Sequence, residues 1–406
     1  MNDTVLTLAR QAEDMASDMV ALRRAIHAEP ELGLHTPRTR DKLRVALAHL
    51  PLEWREGPST TGAVALLRGG AGPAIGPRPR VLLRADMDAL PMSEETGLPY
   101  ASTIAGTMHA CGHDAHAAML AGAAQLLAAR ADTLAGDVVF MFQPGEEGHH
   151  GARFMLEDGL LDPMPDAAFA LHVMPNAPHG LVAGRAGALM AGADQVDITV
   201  TGAGGHASMP HDAADPIPVA CEIVSAIQTM VTRRFNAHDP VVVTIAKIEA
   251  GTTHNVIPDS ARMKGTMRSL SPASRAALRE AITQLAQGIA AAHGQRAEVV
   301  VTPGFPVTMC DPRAVDLGEA VAQGLYGAQA FHRLPAPIMG AEDFAYVLEK
   351  TPGAMFFLGV APDGADWAKC HGIHSPRMTV DETAMPRGAA LLAGLAEAFL
   401  SRGFAE

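Results

Sequence analysis

Asp137-Val-Val-Phe-Met-Phe142 is a short apolar run that predicts a buried β-strand. Before it, Ala115–Arg130 is rich in Ala and Leu and predicts a helix, and Val81-Leu-Leu-Arg-Ala85 predicts another short buried strand. After it, Ala168-Phe-Ala-Leu-His-Val173 predicts a third strand. Strands that alternate with helices in this way predict an α/β fold with a mainly parallel sheet and helices on both faces.

The middle of the chain has a different pattern, which predicts an inserted domain at 188–303. Its elements follow the order β-α-β-β-α-β of the ferredoxin-like unit. The long helix begins at Ser271-Pro272, a suitable N-cap followed by Pro at the first helical position. The predicted elements are strand 195–201, helix 216–231, strands 240–248 and 261–268, helix 271–293 and strand 298–302.

The α/β pattern resumes after the insertion, so residues 1–187 and 304–406 are expected to form one discontinuous domain. At its start, residues 5–28 predict a single amphipathic helix, and Gly69–Pro79 predicts a surface loop. The predicted elements of its last part are helices 313–326, 341–350 and 382–404 and strand 354–360.

The composition argues against several classes of partner. The 406 residues carry a formal net charge of −13, whereas nucleic-acid binding requires clustered Lys and Arg. No apolar stretch reaches the roughly 18 residues of a transmembrane span, and no signal-peptide pattern is present. The four cysteines have no C-x-x-C spacing. We therefore expect a cytoplasmic protein with no nucleic-acid or membrane partner.

Candidate metal ligands are concentrated in His109-Ala-Cys-Gly-His-Asp-Ala-His116. Imidazole and thiolate groups suit zinc and its first-row neighbours. Cys111 and His113 are close enough in sequence to bind one ion or to bridge two. The following helix directs its N-terminus here, which favours anionic groups. A polar loop with chance histidines is the alternative.

Acidic pairs follow two of the predicted strands, at the position where open α/β sheets bind ligands. Gln143-Pro-Gly-Glu-Glu-Gly148 contains adjacent carboxylates, which repel unless a cation or solvent compensates. One can therefore bind a metal while the other stays free as a base. Arg84-Ala-Asp-Met-Asp-Ala-Leu-Pro91 places two acids on one side of a strand end. The alternative for this pair is a solvated turn, and the alternative for the glutamate pair is a solvated surface.

Two isolated histidines complete the set: His172 at a strand end and His374 in His371-Gly-Ile-His-Ser-Pro376. A lone histidine is more often structural or exposed than a ligand. Together with Cys111, His113 and one glutamate, however, these residues supply five ligands, the inventory of a two-metal hydrolase site.

These motifs, in this order, resemble those of the M20 metallopeptidases. The resemblance is to the branch of hippurate hydrolases, N-acyl-amino-acid amidohydrolases and plant auxin-conjugate hydrolases, and it extends over nearly the whole chain. The motifs that carry it are His27-Ala-Glu-Pro-Glu-Leu-Gly33, Arg84–Pro91, His109–His116, Gln143–Gly148, Gly204-Gly-His-Ala-Ser208, His254-Asn-Val-Ile-Pro258, Gly340-Ala-Glu-Asp-Phe344 and His374-Ser-Pro376.

The resemblance implies an amidohydrolase that cleaves the amide bond of N-acyl amino acids with two divalent metal ions per subunit. The identity of the metal stays open among Zn, Mn, Co and Ni. The implied metal ligands are Cys111, His113, Glu147, His172 and His374.

Further roles also follow from the resemblance. Glu146 is implied as the general base, and Asp88 as an acid that orients a metal ligand. The inserted domain is implied to be a lid that forms a homodimer. His206 is implied to reach the partner's active site and to donate a hydrogen bond to the oxyanion. The alternative for His206 is an exposed residue of a glycine-rich loop.

The substrate's free carboxylate requires a cation or hydrogen-bond donors. Arg268, at the end of a predicted lid strand, and Asn255 are the candidates. A structural ion pair is the alternative role of Arg268.

There are three alternatives to this function. A dipeptidase or aminopeptidase on the same scaffold needs a site for a free α-amino group. A non-catalytic zinc-binding protein needs ligands but no base, so Glu146 beside Glu147 argues against it. A thiol enzyme that uses Cys111 lacks a separate base and leaves the other histidines unexplained.

Overall fold

The computed structural model describes residues 2–72 and 78–404, with side chains from Thr7 onward. Residues 73–77 of the predicted loop Gly69–Pro79 lie outside the described residues. The helices are, in chain order, α1 (Asn2–Asp14), α2 (Ala16–His27), α3 (Pro37–Ala46), α4 (His113–Ala128), α5 (Gly151–Glu157), α6 (Pro216–Arg234), α7 (Pro272–Ala292), α8 (Pro312–Tyr326), α9 (Ala345–Leu348) and α10 (Met385–Arg402).

The strands complete the architecture. In chain order they are β1 (Leu52–Glu56), β2 (Ala63–Leu67), β3 (Arg80–Asp86), β4 (Asp137–Gln143), β5 (Ala167–Met174), β6 (Val182–Gly184), β7 (Gly187–Met190), β8 (Gly192–Thr201), β9 (Gly205–His206), β10 (Val241–Ala250), β11 (Val256–Ile257), β12 (Ser260–Ser269), β13 (Arg296–Pro303), β14 (Thr308–Cys310), β15 (Phe331–Arg333) and β16 (Gly353–Gly359).

The first of two units comprises Met1–Leu189, Met309–Ala336 and Asp343–Glu406. Its sheet has eight strands in the order β1-β2-β4-β3-β5-β16-β6-β15. The central strands β4, β3, β5 and β16 are parallel, whereas β2 and β6 join them antiparallel. All seven residues of β4 are buried, as expected for a parallel strand covered on both faces. The predicted α/β fold with a mainly parallel sheet is confirmed.

The helices of this unit depart from the prediction in two places. The predicted helix 5–28 is wrong as a single helix, because it is interrupted at Met15. The interruption lets α1 pack on α8 and α10 while α2 packs on α4. The predicted helix 341–350 is wrong in length, since α9 has four residues. The Asp343 carboxylate instead accepts hydrogen bonds from Arg84 and from the backbone N–H of Ala152.

The second unit comprises Met190–Thr308 and Pro337–Glu342. The second segment belongs to this unit because the backbone N–H of Ala191 donates hydrogen bonds to it. The acceptors are the carbonyl oxygens of Ile338 at 3.1 Å and Gly340 at 2.9 Å. An antiparallel sheet has the order β10-β12-β8-β13, and α6 and α7 cover one face of it. The chain order β8-α6-β10-β12-α7-β13 confirms the predicted ferredoxin-like unit, called the lid below.

The helices of the lid begin as their sequences predict. The Asp215 side chain accepts from the backbone N–H of Ile217, and the Ser271 side chain accepts from that of Ser274. Each cap satisfies one of the unpaired N–H groups at a helix start. In the described ranges 2–72 and 78–404, no helix is long and apolar enough to cross a membrane.

Candidate metal centre

Candidate ligands gather in the first unit where its parallel strands end, the usual position of ligand sites in open α/β sheets. Glu146 and Glu147 follow the end of β4, and His172 lies near the end of β5. Helix α4 begins at His113, just after Cys111. The solvated-surface interpretation of the glutamate pair is wrong for Glu146, which is 7% exposed.

Two groups of potential ligands share the thiol of Cys111. One consists of Cys111, His113 and His172, and the other of Cys111, Glu147 and His374. Within each group the ligand atoms lie within 4.8 Å of one another. The geometry fits two ions that share one thiolate, and it brings together all five residues predicted as ligands.

Gly112 allows Cys111 and His113 to face the same centre. Its φ of +88° lies in the left-handed region that favours glycine. A Cβ at this position would also collide with a methyl group of Val173. The sharp turn before α4 therefore depends on a residue without a side chain.

His374 comes from the segment that follows β16. Its backbone N–H donates to the carbonyl of Ala110 at 2.7 Å, which joins this segment to the Cys111 loop. The backbone N–H of Glu95 holds the same segment through the carbonyl of Pro376 at 2.8 Å. The His374 side chain is 51% exposed, so this side of the centre is open.

The residues present fit a metal. His172 Nδ1 lies 2.7 Å from the carbonyl oxygen of Val173, so Nδ1 carries the proton and donates it. The lone pair of Nε2 is left facing Cys111 Sγ at 3.3 Å. Such an orienting bond is typical of metal-binding histidines. Both ring nitrogens of His113 are buried and make no hydrogen bond to any residue that the structure describes.

Electrostatics also favour a cation at this position. Burial alone would lower the pKa of His113, but the charges of Asp86 and Cys111 raise it well above its ordinary value. Hydrogen bonds with the Cys111 thiol and the Glu147 carboxylate raise the pKa of His374 to about 10. Burial would raise the pKa of Glu147, but the hydrogen bond with His374 lowers it. The acidic groups around these histidines therefore stabilise positive charge at this position.

Asp88 positions the glutamate pair. Its two carboxylate oxygens accept hydrogen bonds from the backbone N–H groups of Glu146 at 2.9 Å and Glu147 at 3.0 Å. It also lies 3.5 Å from His113 Nδ1. Asp88 is 1% exposed, so the solvated-turn interpretation is wrong here. The Asp88 side chain therefore fixes the backbone of the candidate base, Glu146, and of the candidate ligand, Glu147.

Sequence reasoning missed a neighbouring pair, Asp86 and His116. His116 Nδ1 lies 2.6 Å from Asp86 Oδ1, and its Nε2 accepts from the backbone N–H of Val173 at 2.8 Å. Asp86, His113 and His116 also form a potential metal group by distance. Both nitrogens of His116 are already engaged, however, so this pair supports the strand that carries His172. The signal was His116 one helical turn after His113.

A second missed feature is a buried network around Arg84. Arg84 donates to Gln143, Asp86 and Asp343 at 2.6–3.0 Å. Gln143 Nε2 also lies within 2.9 Å of both oxygens of Asp343. The network joins the ends of β3 and β4. The sequence feature that could have indicated this network is a single Arg inside the apolar run of β3.

The other predicted site residues lie in the lid. His206 is exposed in β9, and its Nδ1 accepts from the backbone N–H of Ser208 at 3.1 Å. Nε2 is therefore the nitrogen that carries the proton. Asn255 is exposed, and Arg268 is half-buried on β12. Arg268 makes no ion pair with any residue in the described part of the chain.

Comparison with known proteins agrees with this centre. The sequence model of Peptidase family M20/M25/M40 matches residues 82–398. The chain is 39% identical over 381 residues to N-acetylcysteine deacetylase of Bacillus subtilis (strain 168). That alignment covers 93% of this chain and 96% of the deacetylase. It is 38% identical over 386 residues to IAA-amino acid hydrolase ILR1-like 2 of Arabidopsis thaliana. That alignment covers 94% of this chain and 85% of the hydrolase.

A solved structure shows the same similarity. It is a dinuclear metal binding peptidase from the M20 family of Bacillus subtilis, 34% identical with a TM-score of 0.83. The alignment covers 96% of this chain and 99% of that chain.

Proposed function

Because the chain belongs to Peptidase family M20/M25/M40 and is a metal-dependent amide or peptide hydrolase, we propose that it cleaves N-acyl amino acids to a carboxylic acid and an amino acid. The observation that carries this proposal is the pair of ligand groups that share Cys111, next to the Glu146-Glu147 pair. The names of two relatives, an N-acetylcysteine deacetylase and an IAA-amino acid hydrolase, support this substrate class.

The proposed centre holds two divalent ions. Cys111 contributes to both, His113 and His172 to one, and Glu147 and His374 to the other. When bound, such ions lower the pKa of water and polarise an amide carbonyl. The dinuclear M20 structure and the two ligand groups support two divalent ions, while their identity stays open among Zn, Mn, Co and Ni.

Glu146 is proposed as the general base. Asp88 holds its backbone, and the adjacent Glu147 is proposed as a ligand. Glu146 takes a proton from the attacking water and later gives it to the leaving nitrogen, a contribution typically worth about 10²–10⁴-fold. A binding protein without catalysis would need no such group.

The lid supplies the proposed contacts to the rest of the substrate. The half-buried Arg268 has no ion-pair partner among the described residues, so its charge is available for the substrate carboxylate. The exposed side chain of Asn255 offers further hydrogen bonds. These two residues are proposed to distinguish acyl-amino acids from neutral amides.

The enzyme is proposed to act as a homodimer through the lid. β10 and β13 are the edge strands of the lid sheet, and an edge strand can pair with a copy of itself about a two-fold axis. His206 is proposed to donate a hydrogen bond from its Nε2–H group to the oxyanion in the partner's active site. The hydrogen bond from Ser208 to Nδ1 keeps that proton on the required nitrogen.

A cytoplasmic location is also proposed. None of the four cysteines forms a disulfide. The Cys111 thiol must stay reduced to serve as a ligand, which a reducing compartment ensures.

A substrate panel tests the proposed activity. Apo-enzyme would be reconstituted separately with Zn, Mn, Co and Ni and assayed on N-acetyl, N-benzoyl and indole-acetyl amino acids. Matched dipeptides with a free α-amino group test the dipeptidase and aminopeptidase alternative, and Glu146→Gln is the catalytic control. Turnover of acyl-amino acids that Glu146→Gln loses supports the proposal. Turnover restricted to the free dipeptides contradicts it.

A further inference from the structure

The motif His27-Ala-Glu-Pro-Glu-Leu-Gly33 begins with a buried histidine that has no role in the proposed reaction. His27 ends α2 and is 1% exposed. Its Nδ1 lies 2.8 Å from Asp114 Oδ2, and its Nε2 lies 3.3 Å from the Glu94 carboxylate. Neither partner belongs to the proposed ligand set.

Both ring nitrogens of His27 face carboxylates, which accept hydrogen bonds when ionised. Only the imidazolium has two N–H donors, so the geometry requires the charged form. Burial would lower the pKa of His27, but Asp114 and Glu94 raise it to about 9. Burial would raise the pKa of Glu94, but hydrogen bonds from His27, the backbone N–H of Ser102 and Thr96 lower it to about 2.

A second cation from the same face of α2 holds Asp114. Arg23 is one helical turn before His27, and its Nε lies 2.9 Å from Asp114 Oδ2. Its Nη1 lies 2.8 Å from Glu382 and 3.4 Å from the hydroxyl of Tyr100. Asp114 Oδ2 therefore lies between two cationic side chains of α2.

The remaining groups around His27 do not compete for its protons. The ring of Tyr100 meets that of His27 edge-on at 5.6 Å. The ring of His109 lies 6.2 Å from it. Neither ring nitrogen of His109 makes a hydrogen bond to a residue that the structure describes.

The partners of His27 belong to two segments of the metal centre. Asp114 directly follows His113 in the first turn of α4, so its position determines the rotation of that turn. Glu94 lies in the segment that follows Asp88. The same motif adds a backbone bond to this segment, because the carbonyl of Glu31 accepts from the N–H of Ala89 at 2.8 Å.

We propose that His27 is a positioning residue for the dinuclear centre: its imidazolium ties Asp114 to Glu94, and so directs Cys111 and His113 towards the ions. This inference rests on the proposed function, since it assumes that these two residues bind metal. Loss of partners that orient ligands typically lowers metal affinity by about 10–100-fold.

Two substitutions of His27 separate its contacts. In His27→Gln the amide nitrogen lies near the position of Nε2, so the donor to Glu94 is kept and the donor to Asp114 is lost. In His27→Asn the amide nitrogen lies near the position of Nδ1, so the contact with Asp114 is kept. We expect His27→Gln to weaken cobalt(II) binding about 10–100-fold and His27→Asn to weaken it less.

The measurement is a cobalt(II) titration of the full-length apo-protein against a competing chelator. The thiolate-to-cobalt absorption band reports directly on Cys111, and we expect it to weaken in His27→Gln. Far-ultraviolet circular dichroism confirms folding. If His27→Gln does not fold, Glu94→Gln is the second variant. It removes the negative charge that faces His27 Nε2 and should also weaken cobalt binding.

Asp137→Asn is the matched control. Asp137 is 3% exposed and pairs with Arg68 at 3.0 Å and Arg78 at 2.7 Å. It begins β4, at the opposite end of that strand from Glu146. The control should lose stability but keep the cobalt affinity and the absorption band of the unmodified protein.

The pH dependence gives a second readout. The difference in cobalt affinity between His27→Gln and the unmodified protein should be constant near neutral pH. It should narrow as the pH rises through about 9, where His27 loses its proton.

The outcomes distinguish the two proposals. If the unmodified protein binds no cobalt, the proposed function and this inference both fail. If it binds two equivalents and His27→Gln binds them equally well, only this inference is overturned. Equal weakening by Asp137→Asn also overturns it, because the effect would then be one of general stability.

Discussion

Replacing Asp88 by asparagine should lower kcat strongly, although the two side chains have nearly the same size and shape. The Asp88 carboxylate accepts hydrogen bonds from the backbone N–H groups of both Glu146 and Glu147, at 2.9 and 3.0 Å. Asparagine has one acceptor oxygen and one NH₂ group. The variant keeps at most one of the two bonds and places a donor against the other N–H group.

The free-energy cost of the substitution can be calculated from these two hydrogen bonds. A hydrogen bond to a charged group contributes about 1.5–3 kcal/mol, and a neutral bond is roughly half as strong. Losing one bond and weakening the other therefore costs about 2–4 kcal/mol. If the whole cost falls on the transition state, kcat decreases by about 30–1000-fold.

The assay measures kcat on an N-acyl amino acid together with bound metal per subunit. Asp158→Asn is a suitable control, because Asp158 also accepts a backbone N–H bond, from Ser59 at 3.0 Å, at the end of α5. Asp88→Asn should lose activity while Asp158→Asn keeps it. Near-normal kcat in metal-loaded Asp88→Asn would show that the frame around Glu146 does not depend on this carboxylate.

The remaining predictions concern five further residues. Glu146→Gln should keep metal and lose kcat by at least about 10²–10⁴-fold, whereas Glu147→Gln should also lose metal; near-normal turnover of Glu146→Gln refutes the base. Arg268→Ala should impair hydrolysis of acyl-amino acids more than that of matched amides, and equal losses on both contradict its role. His206→Ala should lower kcat about 10²–10³-fold with metal intact, and mixing it with Glu146→Gln should restore activity in mixed dimers; no recovery in proven mixed dimers excludes action across the interface. The pKa of His27 is raised from 6.5 to about 9, so its stabilising effect should be complete below pH 6.5 and lost as the pH rises through 9, as thermal unfolding of wild-type and His27→Gln apo-proteins would show.

The sequence predicted the parts of the centre that depend on local chain geometry. Glu146 and Glu147 follow the end of β4, and the parallel strands β4, β3 and β5 end at the same edge of the sheet, where His172 also lies. The position of His113 at the start of α4 follows from the helix that the sequence predicts there.

The long-range contacts could not be read from local pattern. His374 meets Cys111 because the segment after β16 bonds to the backbone of Ala110, a contact between residues far apart in sequence. The network of Arg84 with Asp343 also joins distant residues, and it is the reason that the predicted helix 341–350 shrinks to α9. Tertiary hydrogen bonds outweighed helix propensity at that point.

We propose that amide hydrolysis by this protein depends on two divalent ions that share the Cys111 thiolate. The most direct measurement is activity on an N-acyl amino acid during titration of chelated apo-enzyme with a divalent metal, with bound metal determined in parallel. We expect no activity without metal, and full recovery once two ions are bound per subunit. The Cys111→Ala variant should not recover. Full activity in a verified metal-free preparation would contradict it.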